Sequence, residues 1–85
     1  MYYVTYILQN KNDGGWYIGF TTNLKKRLVA HQNGRSPYTS KKEGWQLIYA
    51  ELYLHKIDAL GREKFLKSGA GHRFIKKQLK HYLAN

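Results

Sequence analysis

The stretch "DGGWYIGFTTNLKKRL", Asp13 to Leu28, runs from a turn through an aromatic strand into a basic helix without interruption. Its Asp-Gly-Gly start is typical of a hairpin turn. The aromatic and β-branched residues from Trp16 to Phe20 favour a strand. Asn23 can then cap a helix that is predicted to continue to about Gln32. The stretch therefore predicts the second strand of a hairpin followed directly by a helix, with Gly19 as an unexplained glycine inside the strand.

The rest of the chain supplies two further strands and two further helices. Sequence patterns predict strands over residues 2–9 and 45–54, a helix over 56–67 that ends at "SGAG", and a last helix over 72–83. The resulting order, β-β-α-β-α-α, predicts an α+β fold in which helices pack on a small three-stranded antiparallel sheet. The 85 residues are expected to form a single domain, residues 1–85, with one compact core.

The composition favours a polyanionic partner. Fifteen Lys and Arg against five Asp and Glu give a net charge of +10, which points to nucleic acid first and to an anionic membrane surface second. The membrane is the weaker interpretation, because the last helix needs its apolar stripe for the core. The absence of cysteine excludes a disulfide framework and a thiolate zinc site. The N-terminus does not resemble a signal peptide, and no apolar run could span a membrane, so a cytoplasmic protein is expected.

Tyr6 and Tyr17 are predicted to lie on the same face of the hairpin. Directly opposed residues of an antiparallel pair share a face. With an even-numbered loop, Tyr6, Tyr17 and Gly19 face one side, and the alternate residues of the second strand face the other side, where the core is expected. A six-residue loop would place the two tyrosines directly opposite each other, whereas a tight Asp-Gly turn would separate them by four positions. Ordinary packing of two strand tyrosines is the alternative to a functional role.

The helix of this stretch carries two polar side chains next to its apolar stripe. Leu24, Leu28 and His31 recur at i, i+4 and i+7, and Arg27 lies beside them. An arginine at the edge of a packed face needs either an anion to bind or water around its head group. Arg27 is therefore a candidate anion ligand, and a stem lying over the sheet is the alternative.

Glu63 interrupts the apolar stripe of the following helix, where it shares an arc with Ala59, Leu60 and Leu66. A partly buried carboxylate needs a cation, which can be an arginine, a lysine or a metal ion. A structural salt bridge to an arginine such as Arg27 is the alternative to a metal site. Phenols, a guanidinium, an imidazole and a carboxylate together could hydrolyse a phosphodiester, which requires a base, a cation for the developing charge and a carboxylate-held metal.

Four features of the sequence together resemble the GIY-YIG nuclease superfamily. They are "VTY" (4–6), "YIG" (17–19), "RLVAH" (27–31) and the helical Glu63, and their order, spacing and element types agree with the superfamily pattern. The superfamily includes phage homing endonucleases, some restriction enzymes and the N-terminal incision domain of bacterial excision repair, a DNA-repair nuclease. The chain is most similar to small stand-alone members, and the resemblance covers nearly all of it.

The resemblance implies a role for the residues of these blocks. Tyr6 and Tyr17 would be active-site tyrosines, one of them a general base or proton relay. Gly19 would permit close approach at the site. Arg27 would stabilise the scissile phosphate, and His31 would assist proton transfer or orient water.

The resemblance also implies a metal and a polyanionic substrate. Glu63 would hold one divalent cation, Mg²⁺ or Mn²⁺, and no small-molecule cofactor is implied. Because a free phenol ionises near pH ~10, the metal and Arg27 are expected to favour the phenolate. The candidate nucleic-acid contacts are basic or aromatic residues of the first helix and of the loop from Gln32 to Gly44, namely Lys25, Lys26, Arg35, Tyr38, Lys41 and Lys42.

The sequence leaves three functions open. The leading hypothesis is a metal-dependent endonuclease that hydrolyses phosphodiester bonds in nucleic acid, with DNA favoured over RNA. The alternative is a nucleic-acid-binding module with the nuclease fold but little catalysis. The small size of the chain suggests this alternative. So does the absence of an asparagine from "KSGAGHRFIKKQ" (67–78), since many superfamily members carry one after the metal-binding helix. A tyrosine that attacks phosphate covalently, as in recombinases, is the third.

Overall fold

The computed structural model describes residues 1–34 and 42–84 and confirms the α+β prediction. The described residues form three strands and four helices: β1 (Tyr3–Asn10), β2 (Trp16–Thr21), α1 (Leu24–Gln32), β3 (Trp45–Tyr53), α2 (Lys56–Leu66), α3 (Gly69–Gln78) and α4 (Lys80–Leu83). The strands form one antiparallel sheet in the order β2-β1-β3. The single last helix predicted from the sequence is instead two helices, because the backbone leaves the helical conformation at Leu79 (φ −107°, ψ 28°).

The hairpin has a register that neither predicted loop would give. Tyr6 lies across from Gly19 and Tyr17 across from Leu8, so the two tyrosines share a face as predicted but are not directly opposed. The buried Asn10 side chain sets the loop, since its Oδ1 accepts hydrogen bonds from the amides of the second and third residues after it, at 2.9 and 3.3 Å. Its amide group donates to the Glu43 carbonyl at 2.8 Å, which ties the hairpin to the chain before β3.

Helices cover both faces of the sheet. Alternate strand residues point to opposite faces. On one face, Ile7 and Ile18 pack with Leu66 of α2 and Ile75 of α3. On the other face, the even-numbered β1 residues Val4, Tyr6 and Leu8 pack with Leu24 and Leu28 of α1. A core was expected on one side of the hairpin, but a hydrophobic cluster lies on each side. Tyr6 belongs to the cluster that α1 covers.

Two polar contacts fix α2 against the sheet. The buried Thr5 hydroxyl donates to the Ala59 carbonyl at 2.7 Å, across the β1–α2 boundary. Glu51 of β3 accepts two hydrogen bonds from Arg62, at 2.8 and 3.2 Å. Burial would raise the pKa of Glu51, but its hydrogen bonds from Arg62 and two tyrosines outweigh burial and lower that pKa.

No described helix has the length and apolarity that crossing a membrane requires.

Candidate active site

Gly19 is the point at which the two tyrosine rings meet. A Cβ at this position would lie 2.6 Å from the Cζ and hydroxyl of Tyr6 and 2.9 Å from Cε2 of Tyr17. The two ring centroids are 6.3 Å apart. The φ of Gly19 is not positive, so the close approach of the rings, and not backbone conformation, requires a glycine here.

Tyr6 of β1 and His31 of α1 form a buried hydrogen-bonded pair between the sheet and the helix. The Tyr6 hydroxyl and His31 Nε2 are 2.9 Å apart, and the exposed fractions are 0% for Tyr6 and 2% for His31. Burial, and after it the charge of Arg27, lowers the pKa of His31. A neutral imidazole is therefore favoured, and in the tautomer with unprotonated Nε2 it accepts the Tyr6 proton.

The phenol of Tyr6 is harder to ionise than a free tyrosine. Burial raises the pKa of Tyr6 to about 12, although the hydrogen bond with Arg27 acts in the opposite direction. Arg27 favours the phenolate of Tyr6, as expected, but in the protein alone desolvation outweighs the guanidinium. Tyr6 therefore stays a neutral phenol that donates a hydrogen bond to His31.

Tyr17 is the more accessible of the two phenols. Its ring centroid is 5.0 Å from that of His31, so it belongs to the same cluster. Unlike Tyr6 it is partly exposed, and it lines a surface groove together with Glu63. Water and substrate can reach Tyr17, whereas Tyr6 and His31 lie behind it.

Arg27 lies against both phenols and has an unsatisfied nitrogen. Side-chain hydrogen bonding with Tyr6, and less strongly with Tyr17, raises the pKa of Arg27. Its Nε is buried and has no hydrogen-bond partner among residues 1–34 and 42–84. A buried donor without an acceptor is costly, so this nitrogen favours an incoming anion. The local structure holds α1 in place, since the Asn23 side chain accepts from the Lys26 amide at 3.1 Å and caps the helix.

Glu63 reaches the cluster from the opposite side of the sheet, at the β2 edge. Glu63 and Tyr17 line the same groove, which brings the carboxylate to the exposed side of the cluster. In the described chain the cation that meets it is Lys67, with Nζ at 3.2 Å, and not Arg27. Lys67 lies one helical turn after Glu63, and its side chain is 54% exposed.

The surroundings of Glu63 fit a weakly held divalent cation. One carboxylate facing a groove of about 580 Å³ leaves room for a Mg²⁺ ion that keeps most of its waters. The exposed ammonium of Lys67 can move away without leaving a buried charge. Among residues 1–34 and 42–84 no cluster of three or more His, Cys, Asp or Glu could form a dedicated metal cage, so any ion would depend on Glu63 and on substrate oxygens.

The predicted nucleic-acid contacts do not all lie at this cluster. Lys25 and Lys26 are exposed on α1, as predicted. Lys42 forms an ion pair with Asp13 at 2.7 Å, so its charge is partly neutralised. Arg35, Tyr38 and Lys41 lie outside the described residues.

Sequence reasoning missed three residues near the site. Thr5 holds the helix that carries Glu63, and Trp16 and His72 form a wall of the groove, with ring centroids 5.0 Å apart. A possible signal for Thr5 was that "VTY" has Val4-Thr5 where the superfamily motif has Gly-Ile. No local signal pointed to Trp16 and His72, because they are far apart in the sequence.

Residues 2–77 match the family model of the GIY-YIG catalytic domain. The chain belongs to the GIY-YIG family. The match confirms the resemblance found in the sequence, and the family is one of nucleases.

Relatives of this GIY-YIG domain are small bacterial proteins. It is 38% identical over 63 residues to a UPF0213 protein of Streptococcus pneumoniae, a match that covers 73% of this chain but 63% of the relative. It is 35% identical to UPF0213 protein SSP2268 of Staphylococcus saprophyticus, covering 84% of this chain and 87% of the relative. Its fold is similar to the solution NMR structure of UPF0213 protein BH0048 from Bacillus halodurans, with a TM-score of 0.58, 28% identity and coverage of 92% and 85%.

Proposed function

We propose that this GIY-YIG domain is a metal-dependent endonuclease that hydrolyses phosphodiester bonds in nucleic acid, with DNA favoured over RNA. The observation that carries the proposal is the Arg27 guanidinium, which hydrogen-bonds to both phenols and whose buried Nε has no acceptor in the described part of the chain. A phosphate oxygen would satisfy that nitrogen and would place the scissile group next to Tyr17. The net charge of +10 supports a polyanionic substrate.

The residues divide into an exposed front and a buried support. Tyr17 would be the general base, since it is the phenol that lines the groove: as a phenolate, with its own proton lost to solvent, it would take a proton from the attacking water. Arg27 would stabilise the charge that develops on the phosphate. Tyr6 and His31 form the support, in which the imidazole accepts the Tyr6 proton and holds that hydroxyl in place next to Arg27.

Glu63 is the residue that would hold the divalent cation. The ion would supply Lewis-acid stabilisation of the phosphate oxygens. In its absence Lys67 neutralises the carboxylate, and the exposed lysine can leave it at little cost because surface ion pairs are weak.

Cleavage of labelled single-stranded, duplex and branched substrates, with Mg²⁺, Mn²⁺ or EDTA, tests the proposal. Product should form only with metal and should disappear in Glu63→Gln. Arg27→Ala should lower the rate about a hundredfold or more, the usual loss when a donor to a developing oxyanion is removed. Glu43→Gln is the matched control, because it removes the same charge from an exposed position and should cut at the wild-type rate. Metal-independent cutting, or full activity in Glu63→Gln, would contradict the proposal.

A nucleic-acid-binding module is the second candidate, favoured by the Lys67–Glu63 ion pair. That pair already neutralises the proposed metal ligand. This function predicts salt-dependent binding and no product at any metal concentration. The same cleavage panel separates the two, since the Lys67→Ala variant should need less Mg²⁺ only if Glu63 holds the ion.

A further inference from the structure

Two surface grooves meet at Trp16, the first residue of β2. The first groove contains Tyr17 and Glu63 and is bordered by Lys67 and His72. The second groove, of about 500 Å³, continues from the opposite side of Trp16 to Lys76 and Lys80. Both grooves are lined by Trp16, so they adjoin at this residue, and we call the two grooves together the Trp16 trough.

The middle of the Trp16 trough is aromatic. The rings of Trp16 and His72 have centroids 5.0 Å apart and planes inclined at 48°. Both residues are only partly buried, and both line the first groove. Trp16 also packs against the core, which restricts the motion of its indole. A held and accessible indole is a platform on which a nucleic-acid base can stack.

The two ends of the trough differ in charge, since Glu63 is paired with Lys67 at one end and two lysines lie at the other. All five acidic residues of the chain lie in its described part, and Glu63 is the one that lines the trough. Lys76 and Lys80 lie at the far end, and both are exposed. His72 and Lys76 are four residues apart on α3, so they lie on the same side of that helix. Phosphates are thus attracted to the lysine end of the trough, whereas the carboxylate that would hold a metal lies at the other end.

We propose that the Trp16 trough binds a single-stranded segment of the nucleic-acid substrate, with a base stacked on Trp16 and the adjoining phosphates against Lys76 and Lys80. Stacking on a side chain requires an unstacked base, which a single strand, a flap or a splayed end offers and an intact duplex does not. The inference rests on the proposed nuclease function, since the trough starts at Tyr17 and Glu63. It narrows the substrate to one with a single-stranded portion beside the scissile bond.

Binding in EDTA tests the trough without catalysis. Fluorescence anisotropy would compare a labelled single-stranded oligonucleotide with a duplex of the same sequence. Trp16→Leu keeps an apolar side chain against the core, so it should weaken single-strand binding about tenfold and change duplex binding less than about twofold. The single strand should quench the fluorescence of the wild-type protein, and this quenching should vanish in Trp16→Leu, in which Trp45 remains as the internal reference.

His72→Ala provides a second variant in case Trp16→Leu does not fold, which circular dichroism would reveal. It should weaken single-strand binding severalfold with duplex binding unchanged. Equal losses on single strand and duplex, or wild-type single-strand affinity in the folded variants, would overturn the trough proposal. Failure of the nuclease function is a separate result, because it would appear as no cleavage with Mg²⁺ while the fluorescence quenching persists.

Discussion

Gly19 couples strand pairing to the arrangement of the site. Its place across from Tyr6 brings the Tyr6 hydroxyl over the bare backbone of β2, and the same gap admits the edge of Tyr17. The hydroxyl of Tyr6 is then held by His31 and Arg27. One missing methyl group therefore allows two phenols, an imidazole and a guanidinium to occupy the same small volume.

Gly19→Ala should move both rings and damage the site. The added methyl would lie 2.6 Å from Tyr6 atoms in a packed core, and overpacking of this kind costs about 1–3 kcal/mol. Urea unfolding should show the loss, and cleavage should fall with it. Gly61→Ala is the matched control, because Gly61 is exposed on α2 and nothing lies within 4 Å of an added Cβ. This variant should stabilise the protein by about 0.5–1 kcal/mol. Wild-type stability in Gly19→Ala would contradict the packing argument.

His31 should make the protein less stable in mild acid. Its pKa is lowered in the folded protein, so between that value and the unfolded value of about 6.5 the unfolded chain binds more protons. Stability should therefore fall as the pH drops below about 6.5 and should level off once the pH is below the folded pKa. Thermal unfolding between about pH 7.5 and about pH 5 measures the loss.

Substitution of His31 should remove part of this pH dependence. His31→Gln keeps an acceptor for the Tyr6 hydroxyl but cannot titrate, so its unfolding temperature should change less with pH than that of the wild type. His81→Gln, at an exposed position on α4, serves as the control and should retain the wild-type profile. A wild-type profile in His31→Gln would mean that another group causes the acid loss.

At the scale of elements, Thr5 connects the strand of Tyr6 to the helix of Glu63. Its hydroxyl donates to the Ala59 carbonyl at 2.7 Å. In an α-helix that carbonyl also accepts from the amide four residues later, which is the amide of Glu63. The hydrogen bond thus fixes the position of α2 relative to β1. It thereby also fixes the position of the Glu63 carboxylate relative to the phenols.

Thr5→Val should disturb both stability and metal use. Loss of a buried hydrogen bond costs about 1 kcal/mol, and a displaced α2 should raise the Mg²⁺ concentration that gives half-maximal cleavage. Thr5→Ser keeps the hydroxyl and should restore the wild-type Mg²⁺ dependence even if it is less stable. Thr22→Val makes the same change at an exposed position and should alter neither quantity. A purely structural role would give lower stability in Thr5→Val with unchanged Mg²⁺ dependence.

The element order could be predicted from the sequence, whereas the register and the covered faces could not. Alternating strand and helix patterns are local, and so is the turn chemistry of residues 10–15. The loop length depends on the Asn10 side chain and its bond to Glu43, a contact over 33 positions that no local pattern reports. The last helix was predicted as one because its apolar stripe continues through Leu79, although the backbone breaks there.

At the scale of the whole molecule, the site draws on both faces of the sheet. The clustering of Tyr6, Tyr17, Arg27 and His31 could be predicted from the sequence, because strand parity and helical periodicity place them on shared faces. How deeply these side chains are buried could not be predicted from such patterns, since Tyr6 is buried because α1 covers that face of the sheet. Glu63 comes from the opposite layer and reaches the cluster only at the β2 edge, next to the Trp16 trough.

The charge of the folded surface should show in the salt dependence of single-strand binding. If Arg27, Lys67, Lys76 and Lys80 each meet a phosphate, log K should fall with log salt with a slope of about −3. Lys76→Gln with Lys80→Gln should reduce the size of that slope by about 1.4, as two contacts are lost.

The matched double variant Lys56→Gln with Lys64→Gln removes the same charge from exposed α2 positions outside the trough and should leave the slope within about 0.3 of wild type. Titrations from about 50 to about 200 mM salt measure all three proteins. Equal reductions in both double variants would show that the net charge, and not the trough, guides the strand.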